Sequence, residues 1–159
     1  MMIIKEATSD IDILDAIKAY TASGGEMANK FPFTRDKQML LMKVVEKSNY
    51  TGDLYRGMYF SEKQWDSIYE ILLNDGSVWD FNLPLISFTK DKHRTASYGK
   101  GGQIFVKFHL SGKCTGLDIT NVSIYPEEKE VIVSGKNKFK VIDSDMPKMG
   151  SFIINLKQV

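Results

Sequence analysis

Apolar residues in the first third of the chain recur at the three- and four-residue spacing of helices. Ile13, Ile17 and Tyr20 share one face of residues 9–20, which predicts a helix that begins at a serine or aspartate cap. A glycine pair after this stretch ends the pattern. Two further helices are predicted on the same grounds, a short one over 26–30 and a longer one over 34–48.

Beyond about residue 50 the pattern changes to short apolar stretches whose side chains alternate between two faces. Such stretches, when rich in aromatic and β-branched residues, predict strands. The predicted strands are 54–60, 85–89, 103–110, 116–119, 130–133, 138–142 and 151–157. Helices are predicted over 61–73 and 91–98, and a turn at 134–137 predicts that the strands on either side of it pair as a hairpin. Because helices come first and strands follow, the pattern favours an α+β fold over alternating parallel units.

Composition and charge are those of an ordinary globular protein. The 159 residues, 43% hydrophobic and 26% charged, fit one domain, taken as residues 1–159. A net charge of +1 argues against nucleic acid or an acidic membrane surface as the partner. One cysteine, Cys114, cannot form an internal disulfide, and no secretory signal or membrane-spanning pattern is seen, which favours the cytoplasm. Cys114 and the distant His93 and His109 make a poor zinc set.

Three acidic residues precede an apolar stretch late in the chain, in the sequence YPEEKEVIV at 125–133. In an extended chain residues i and i+2 project to the same face, so Glu128 and Glu130 are predicted to lie together while Lys129 points away. Two neighbouring carboxylates repel each other, which raises the pKa of at least one. A charged turn that enters a strand explains the same pattern, and an isolated Glu-x-Glu is usually that.

Arg56 lies in the middle of a predicted aromatic strand. A buried guanidinium is costly without an anionic partner, so Arg56 is expected in an internal ion pair or in a phosphate-binding site, for which its bidentate geometry is suited. Gly57, the next residue, allows a ligand or another backbone to come close. The residues alone leave both interpretations open.

Two weaker patterns lie between Arg56 and the glutamates in the sequence. Ser87 and Thr89 share one face of a predicted strand, and such hydroxyl pairs usually reflect strand propensity and local hydrogen bonds. The sequence GKGG at 99–102 lacks the third glycine of the dinucleotide-binding fingerprint and precedes a strand where a helix is required. It is interpreted as a plain turn or as a flexible loop that brings Lys100 near phosphates.

In chain order, an arginine on a strand, a Ser-x-Thr on a strand and a Glu-x-Glu resemble the Arg–Ser–Glu class of mono-ADP-ribosyltransferases. These are the cholera-toxin-like and clostridial-toxin-like enzymes, including bacteriophage enzymes that modify host proteins. The motifs are LYRG at 54–57, ISFT at 86–89 and YPEEKEV at 125–131, and the resemblance also includes AIKAYT at 16–21 and KFKVI at 138–142. It implies an α+β fold in which N-terminal helices precede two small, packed, mostly antiparallel sheets around an NAD cleft.

The resemblance implies NAD as co-substrate and a protein of unknown identity as acceptor. Glu130 would stabilise the positive charge that develops on the ribose as nicotinamide leaves, and would hold the ribose 2′-hydroxyl. Glu128 would orient or deprotonate the acceptor, and a glutamate at this position is similar to enzymes that modify arginine. Tyr125 matches the aromatic residue of the loop that contacts the target protein.

The same resemblance assigns other residues to the NAD site. Arg56 would bind the phosphates, with Gly57 beside it. Ser87 would brace the site and Glu130, and Thr89 would support the strand. Lys100 would belong to a loop that covers the phosphates and the nicotinamide.

The sequence departs from the family pattern in one motif. Ser-Phe-Thr replaces the commoner Ser-Thr-Ser, and Phe88 is expected to point away from the two hydroxyls. With no second domain for translocation or receptor binding, an enzyme made or injected inside the target cell, as in phages, is expected rather than a self-delivering toxin. Three functions are open: an arginine-directed ADP-ribosyltransferase, an NAD glycohydrolase toxin with water as acceptor, and a non-enzymatic binding module in which Arg56 pairs with a glutamate.

Overall fold

Three helices and ten strands form the part of the chain that this computed structural model describes, which is residues 10–23, 25, 27–94, 97–98 and 103–159. The helices are α1 (Asp10–Ala22), α2 (Arg35–Glu46) and α3 (Glu62–Leu72). The strands are β1 (Asn49–Thr51), β2 (Leu54–Phe60), β3 (Val78–Trp79), β4 (Leu85–Thr89), β5 (Ser97–Tyr98), β6 (Ile104–Leu110), β7 (Lys113–Asp118), β8 (Glu130–Ser134), β9 (Phe139–Lys148) and β10 (Ser151–Gln158). A short 3₁₀ helix, Pro126–Glu128, precedes β8.

Local sequence signals explain where two of the helices begin. α2 follows Thr34, whose side-chain oxygen accepts a hydrogen bond from the Lys37 amide. α3 begins with a capping box in which Ser61 and Gln64 each accept a hydrogen bond from the other's backbone amide. The most strongly patterned elements are confirmed, with ends that differ by two residues at most: helices 9–20, 34–48 and 61–73, and strands 54–60, 85–89, 103–110 and 151–157.

The strands form one path in the order β1-β7-β8-β4-β2-β6-β10-β9-β3, and β5 pairs with β2 outside this path. β2 and β4 are joined by the single residue pair Tyr55 and Thr89. The path therefore consists of a first half-sheet (β1, β7, β8, β4) and a second half-sheet (β2, β6, β10, β9, β3). Its pairing is antiparallel except between β6 and β10, while β5 also runs parallel to β2. The α+β prediction with two small, mostly antiparallel sheets is confirmed in this form.

Two hydrophobic cores hold the layers together. The large core contains side chains from both half-sheets, among them Phe88 and Val131 of the first and Phe108 and Ile154 of the second. The small core joins the first half-sheet to α1 and α2, and its buried members are Ile17, Leu41, Val45, Leu85, Ile119 and Ile132. Because successive strand residues project to opposite faces, Val131 enters the large core and Ile132 enters the small one.

The predicted hairpin between 130–133 and 138–142 is wrong. β8 has β4 and β7 as its neighbours, whereas β9 pairs with β10 and β3. All five residues of β8 are buried, which is typical of a central strand covered on both faces. Gly135, in the predicted turn, packs so closely on the segment just before β4 that a Cβ would lie 1.5 Å from the Leu83 carbonyl oxygen. A close approach to another segment explains this glycine better than a hairpin does.

The remaining differences concern short elements. Residues 27–31 form hydrogen-bonded turns where a helix over 26–30 is predicted, and Glu26 lies outside the described residues. The helix predicted over 91–98 is wrong in the described residues, because 91–94 form a turn and Ser97–Tyr98 is a strand paired with β2. The sequence pattern does not predict β1 or β3, since strands of three and two residues carry too little periodicity. β7 and β9 are longer than predicted.

The small core supplies a test of the layer that supports β8. Ile132→Ala removes a fully buried side chain and leaves a cavity, so the free energy of unfolding should fall by about 2–5 kcal/mol. Ile142→Ala removes the same atoms from a side chain on β9 that is 41% exposed, and should cost less than about 1 kcal/mol. Urea denaturation followed by tryptophan fluorescence measures both values, and equal losses would contradict the burial of Ile132 beneath the helices.

Candidate active site

A cavity of about 540 Å³ opens between the first half-sheet and the end of α1. Five of the residues predicted for the site line it: Arg56, Ser87, Tyr125, Glu128 and Glu130. They come from β2, from β4 and from the segment that enters β8. The opposite wall is formed by residues at and just after the end of α1, including Tyr20. Side chains that are far apart in the sequence therefore share one cavity.

Glu130 is the first residue of β8 and is only 7% exposed. It lies opposite Thr89 of β4. Its pKa is raised to about 7, chiefly because burial disfavours the charged form and also because the charge of Glu128 is near. A hydrogen bond from Ser87 and the charge of Arg56 act in the opposite direction. Near neutral pH this carboxyl is therefore divided between its charged and neutral forms.

Ser87 reaches the cavity because its two neighbours in β4, Ile86 and Phe88, face the large core. The hydroxyl oxygen of Tyr20 lies 2.5 Å from Ser87 Oγ. The Tyr20 ring is held by an edge-on contact with Phe33, with 5.5 Å between ring centroids. In the sequence Tyr20 is an apolar residue of the first helix and part of the AIKAYT motif, and no role at the site is predicted for it. A tyrosine that ends an apolar face usually has a partner for its hydroxyl, which is the signal that could have identified it.

Arg56 enters the cavity from the second half-sheet. Its side chain is 5% exposed, and Nη1 donates a hydrogen bond of 3.0 Å to the carbonyl oxygen of Ser87. The guanidinium carbon lies 5.9 Å from the centroid of the Phe81 ring. Arg56 therefore links β2 to β4 close to the point where the half-sheets share one backbone pair, and its charge acts on Glu130.

Gly57 and Thr89 are expected at the NAD site, but neither lines the cavity. Gly57 is buried, and its backbone pairs with β5 and with β6. Thr89 is also buried, and its Oγ1 donates a hydrogen bond of 2.7 Å to the carbonyl oxygen of Glu128. Thr89 Oγ1 also accepts a hydrogen bond from the Asp91 amide at 3.1 Å. Thr89 therefore holds the turn that carries Glu128.

That turn is not the extended chain from which the pairing of the glutamates is predicted. Pro126–Glu128 is a 3₁₀ helix, and Lys129 has a left-handed backbone with φ 47° and ψ 53°. Proline suits the first position of such a helix because its φ is already fixed and it has no amide hydrogen to satisfy. Glu128 and Glu130 nevertheless line the same cavity, and Lys129 does not. The two carboxylates are brought together by the turn and not by strand alternation.

Glu128 lies at the rim of the cavity with a largely exposed side chain. Partial burial raises its pKa, and the charge of Glu127 raises it further, while Arg94 acts in the opposite direction. Glu128 is therefore a better proton acceptor than an ordinary surface carboxylate, and it is open to a large partner.

Tyr125 also lies on the cavity, at the start of the 3₁₀ helix. The segment before it is attached to α1, because the Ile124 amide donates to Thr21 Oγ1 at 3.3 Å. A Cβ on Gly25 would lie 3.5 Å from the Tyr125 hydroxyl oxygen, so the ring reaches across to the segment after α1. Lys100, the other loop residue expected at the site, lies outside the described residues.

In the described ranges, His, Cys, Asp and Glu side chains nowhere form a group of three or more that could hold a metal ion. None of the helices in these ranges combines the length and the apolar character that a membrane crossing requires.

No protein-family model matches the sequence, and no curated protein does. Solved structures, in contrast, share the fold. The ADP-ribosyltransferase Vis of Vibrio splendidus, in complex with the M6 inhibitor, is 16% identical with a TM-score of 0.70, over 97% of this chain and 75% of that one. An ADP-ribosyltransferase of Clostridium botulinum is 18% identical with a TM-score of 0.65, over 94% of this chain and 87% of that one.

The ADP-ribosyltransferase HopU1 of Pseudomonas syringae is 19% identical, with a TM-score of 0.55 over 91% of this chain. The present chain spans 59% of the HopU1 chain. At these levels of identity the shared property is the fold, so the chain has the fold of the ADP-ribosyltransferases.

The buried carboxyl of Glu130 predicts a stability that depends on pH. Because its pKa rises from 4.5 in the unfolded chain to about 7 in the fold, the folded state keeps the proton longer, and stability is lost as pH rises between these values. Glu130→Gln removes this loss, so at pH 8 the variant should be more stable than the wild type by up to about 3 kcal/mol. The difference should nearly vanish at pH 4.5.

Urea denaturation at several pH values from 4.5 to 8 measures this difference. Glu127→Gln, at an exposed position beside the site, is the matched control and should follow the wild type. A Glu130→Gln variant that is no more stable than the wild type at pH 8 would contradict the burial of this carboxyl.

Proposed function

We propose that this chain is an NAD-dependent mono-ADP-ribosyltransferase that transfers ADP-ribose to a protein arginine and releases nicotinamide, with residues 1–159 as one catalytic domain. The observation that carries the proposal is that Arg56, Ser87, Glu128 and Glu130 line one cavity. Its volume of about 540 Å³ is in the range of small-molecule sites. A cation for phosphate, a hydroxyl and two carboxylates are the groups that this transfer requires.

In the proposed reaction the bond between the nicotinamide nitrogen and the anomeric carbon of the ribose breaks, and its electron pair leaves with nicotinamide. The ribose carbon then carries positive charge, as in glycoside cleavage. The ionised carboxylate of Glu130 stabilises this charge, and its burial strengthens the interaction relative to bulk water. The positively charged nicotinamide ring of NAD, bound beside Glu130, also favours the ionised form of a carboxyl whose pKa is about 7.

Arg56 is the proposed ligand of the NAD phosphates. Its guanidinium is buried at the cavity wall, and an anion bound there interacts with it more strongly than at an exposed site. The hydrogen bond to the Ser87 carbonyl and the contact with Phe81 limit its conformations before any ligand binds. Such preorganisation lowers the entropic cost of binding.

The acceptor is proposed to enter at the rim formed by Tyr125 and Glu128. When a guanidinium nitrogen forms its bond to the anomeric carbon it must lose a proton, and Glu128, which lines the cavity, is the proposed base that takes it. The raised pKa of Glu128 makes it a better base than an ordinary carboxylate. Among the solved structures with the same fold is Vis in complex with agmatine, which is itself a guanidine compound. This supports a guanidinium as the acceptor group.

The proposed setting is the cytoplasm of the cell whose protein is modified. The single cysteine, Cys114, is buried, and burial raises the pKa of its thiol to about 11. A thiol in this state is inert and needs no oxidising compartment.

NAD hydrolysis is a second candidate, in which water takes the place of the protein acceptor. It is favoured by the exposure of Glu128 at the rim, where solvent has access to the cavity. Release of nicotinamide without labelling of any protein would support hydrolysis. A rise in melting temperature with NAD but no release of nicotinamide would instead support a binding module.

Substitution of the two carboxylates tests the proposal. Glu130→Gln retains the shape of the side chain but not its charge, so nicotinamide release and protein labelling should both fall by at least about 100-fold. Glu128→Gln should lower transfer to agmatine by at least about 100-fold and affect hydrolysis of NAD far less, because water has a free electron pair and a guanidinium gains one only by losing a proton. Labelled NAD, incubated with agmatine or a cell lysate, reports transfer, and chromatography reports nicotinamide. Full activity of Glu130→Gln would refute the proposal.

Thr89 supplies a second test through the turn that it holds. Thr89→Val keeps the shape but removes the hydrogen bond to the Glu128 carbonyl, worth about 1 kcal/mol, so transfer to agmatine should fall about fivefold. Hydrolysis of NAD should change less, and Thr89→Ser, which keeps the hydroxyl, should retain transfer. Steady-state rates of both reactions measure the effect. Equal losses of transfer and hydrolysis in Thr89→Val would contradict a role through Glu128.

A further inference from the structure

A chain of hydrogen bonds leads from the end of α1 to Glu130. The Tyr20 hydroxyl oxygen lies 2.5 Å from Ser87 Oγ. Ser87 pairs with Ile132, so Ser87 and Glu130 are diagonal neighbours on one face of β4 and β8, and both line the cavity. A hydrogen bond from Ser87 favours the charged form of Glu130. An ionised carboxylate can only accept, so Ser87 is the donor to Glu130 while Glu130 is charged. A serine hydroxyl has one hydrogen to donate, and in that state Tyr20 is the donor to Ser87.

Tyr20 and Ser87, the first two members of this chain, are both held in place by their surroundings. The Tyr20 ring rests edge-on against Phe33, and Ile17, one turn earlier in α1, is buried in the small core. The backbone of Ser87 is held by the pairing of β4 with β8 and by the hydrogen bond from Arg56. The distance between Tyr20 and Ser87 is therefore set by how α1 packs on the first half-sheet.

We infer that Tyr20 is a positioning residue for Glu130, which it orients and keeps in the charged form by donating to Ser87. The effect needs only the hydroxyls of Tyr20 and Ser87. The effect of Tyr20 on the charge of Glu130 does not depend on the proposed function. Its effect on catalysis does rest on that function, in which Glu130 stabilises the ribosyl cation.

The physical reason is the single hydrogen of Ser87. While Tyr20 donates to Ser87 Oγ, the Ser87 hydrogen is directed at Glu130, and the accepted bond polarises the hydroxyl and makes it a better donor. Without the Tyr20 hydroxyl, Ser87 can rotate and its bond to Glu130 weakens. A buried carboxylate that loses a donor is more easily protonated. The other charged groups that act on Glu130 are Glu128 and Arg56, and Tyr20→Phe leaves both of these charges in place.

Tyr20→Phe isolates the hydroxyl, since it keeps the ring and its contact with Phe33. The test is a titration of Glu130 in the intact protein by NMR of ¹³C-labelled glutamate carboxyl groups, with the signal assigned by its loss in Glu130→Gln. The wild-type midpoint is expected near pH 7. In Tyr20→Phe it should move upward by about half a unit to one unit, as expected for one weakened hydrogen bond. Ser87→Ala should move it further in the same direction.

The double variant Tyr20→Phe/Ser87→Ala decides whether Tyr20 acts through Ser87. The inference expects the midpoint of Ser87→Ala alone, because the Ser87 hydroxyl is the group through which Tyr20 is inferred to act. Additive shifts would overturn it, as would an unshifted Tyr20→Phe. Tyr125→Phe removes another hydroxyl from the same cavity and should leave the Glu130 midpoint unchanged; a shift equal to that of Tyr20→Phe would also overturn the inference.

Nicotinamide release separates this inference from the proposed function. If the function holds, the pH profile of kcat/KM for NAD should move upward in Tyr20→Phe by the same amount as the titration, with most of the lost activity recovered above pH 8. A titration that shifts in a protein that never releases nicotinamide would support the chain of hydrogen bonds and refute the enzyme. An active enzyme whose Tyr20→Phe variant loses NAD affinity at every pH, with no shift of the profile, would overturn the inference and leave the function standing.

Discussion

Burying the Glu130 carboxylate at the start of β8 costs free energy, and the groups around it offset only part of that cost. Ser87 donates a hydrogen bond to it and Arg56 contributes a positive charge, yet the pKa of Glu130 stays near 7. The fold thus keeps a carboxyl that would be more stable neutral. Residues that destabilise a fold in this way are concentrated at sites of chemistry, because a charge that is poorly satisfied in the free protein is available to a ligand. The burial of this carboxylate depends on the strand order, on the position of α1 and on the shape of the cavity.

The cavity exists because the sheet is divided. β2 and β4 share one backbone pair, so the two half-sheets diverge and their inner faces enclose the large core. Arg56 spans the division with its hydrogen bond to the Ser87 carbonyl. The first half-sheet has a second face, covered by α1 and α2, and Ser87 and Glu130 lie on that face beyond the small core. A continuous flat sheet would not bring a cation from one half and a carboxylate from the other into one cavity.

α1 has a larger part in this site than its sequence pattern indicates. Its apolar face packs into the small core, as the periodicity predicts. Its last turn also meets the site twice, at Ser87 through the Tyr20 hydroxyl and at the loop before Tyr125 through Thr21. A helix that packs as an ordinary layer thus also fixes two sides of the cavity.

Alternation along single strands is enough to predict several features of the site. It predicts that Arg56 lies within an apolar strand and that the Ser87 side chain points away from the Phe88 side chain, and the structure has both arrangements. The pairing of β8 cannot be predicted in the same way, since the turn residues after it equally suit a hairpin. That choice is excluded because both edges of β8 are paired, with β4 and with β7. Glu128 and Glu130 do line one cavity, but the extended chain from which this was predicted is not the cause. A 3₁₀ helix and a left-handed residue connect them.

What the sequence determined by itself is therefore local: the helix starts, the strand alternation and the residue types that carry the chemistry, because these depend on neighbours within a few positions along the chain. The partners of each strand, the hydrogen bond between Tyr20 and Ser87 and the pKa of Glu130 were decided only by the tertiary structure. Burial, and the distance between groups that are tens of residues apart, depend on how the layers pack, and no local pattern encodes that.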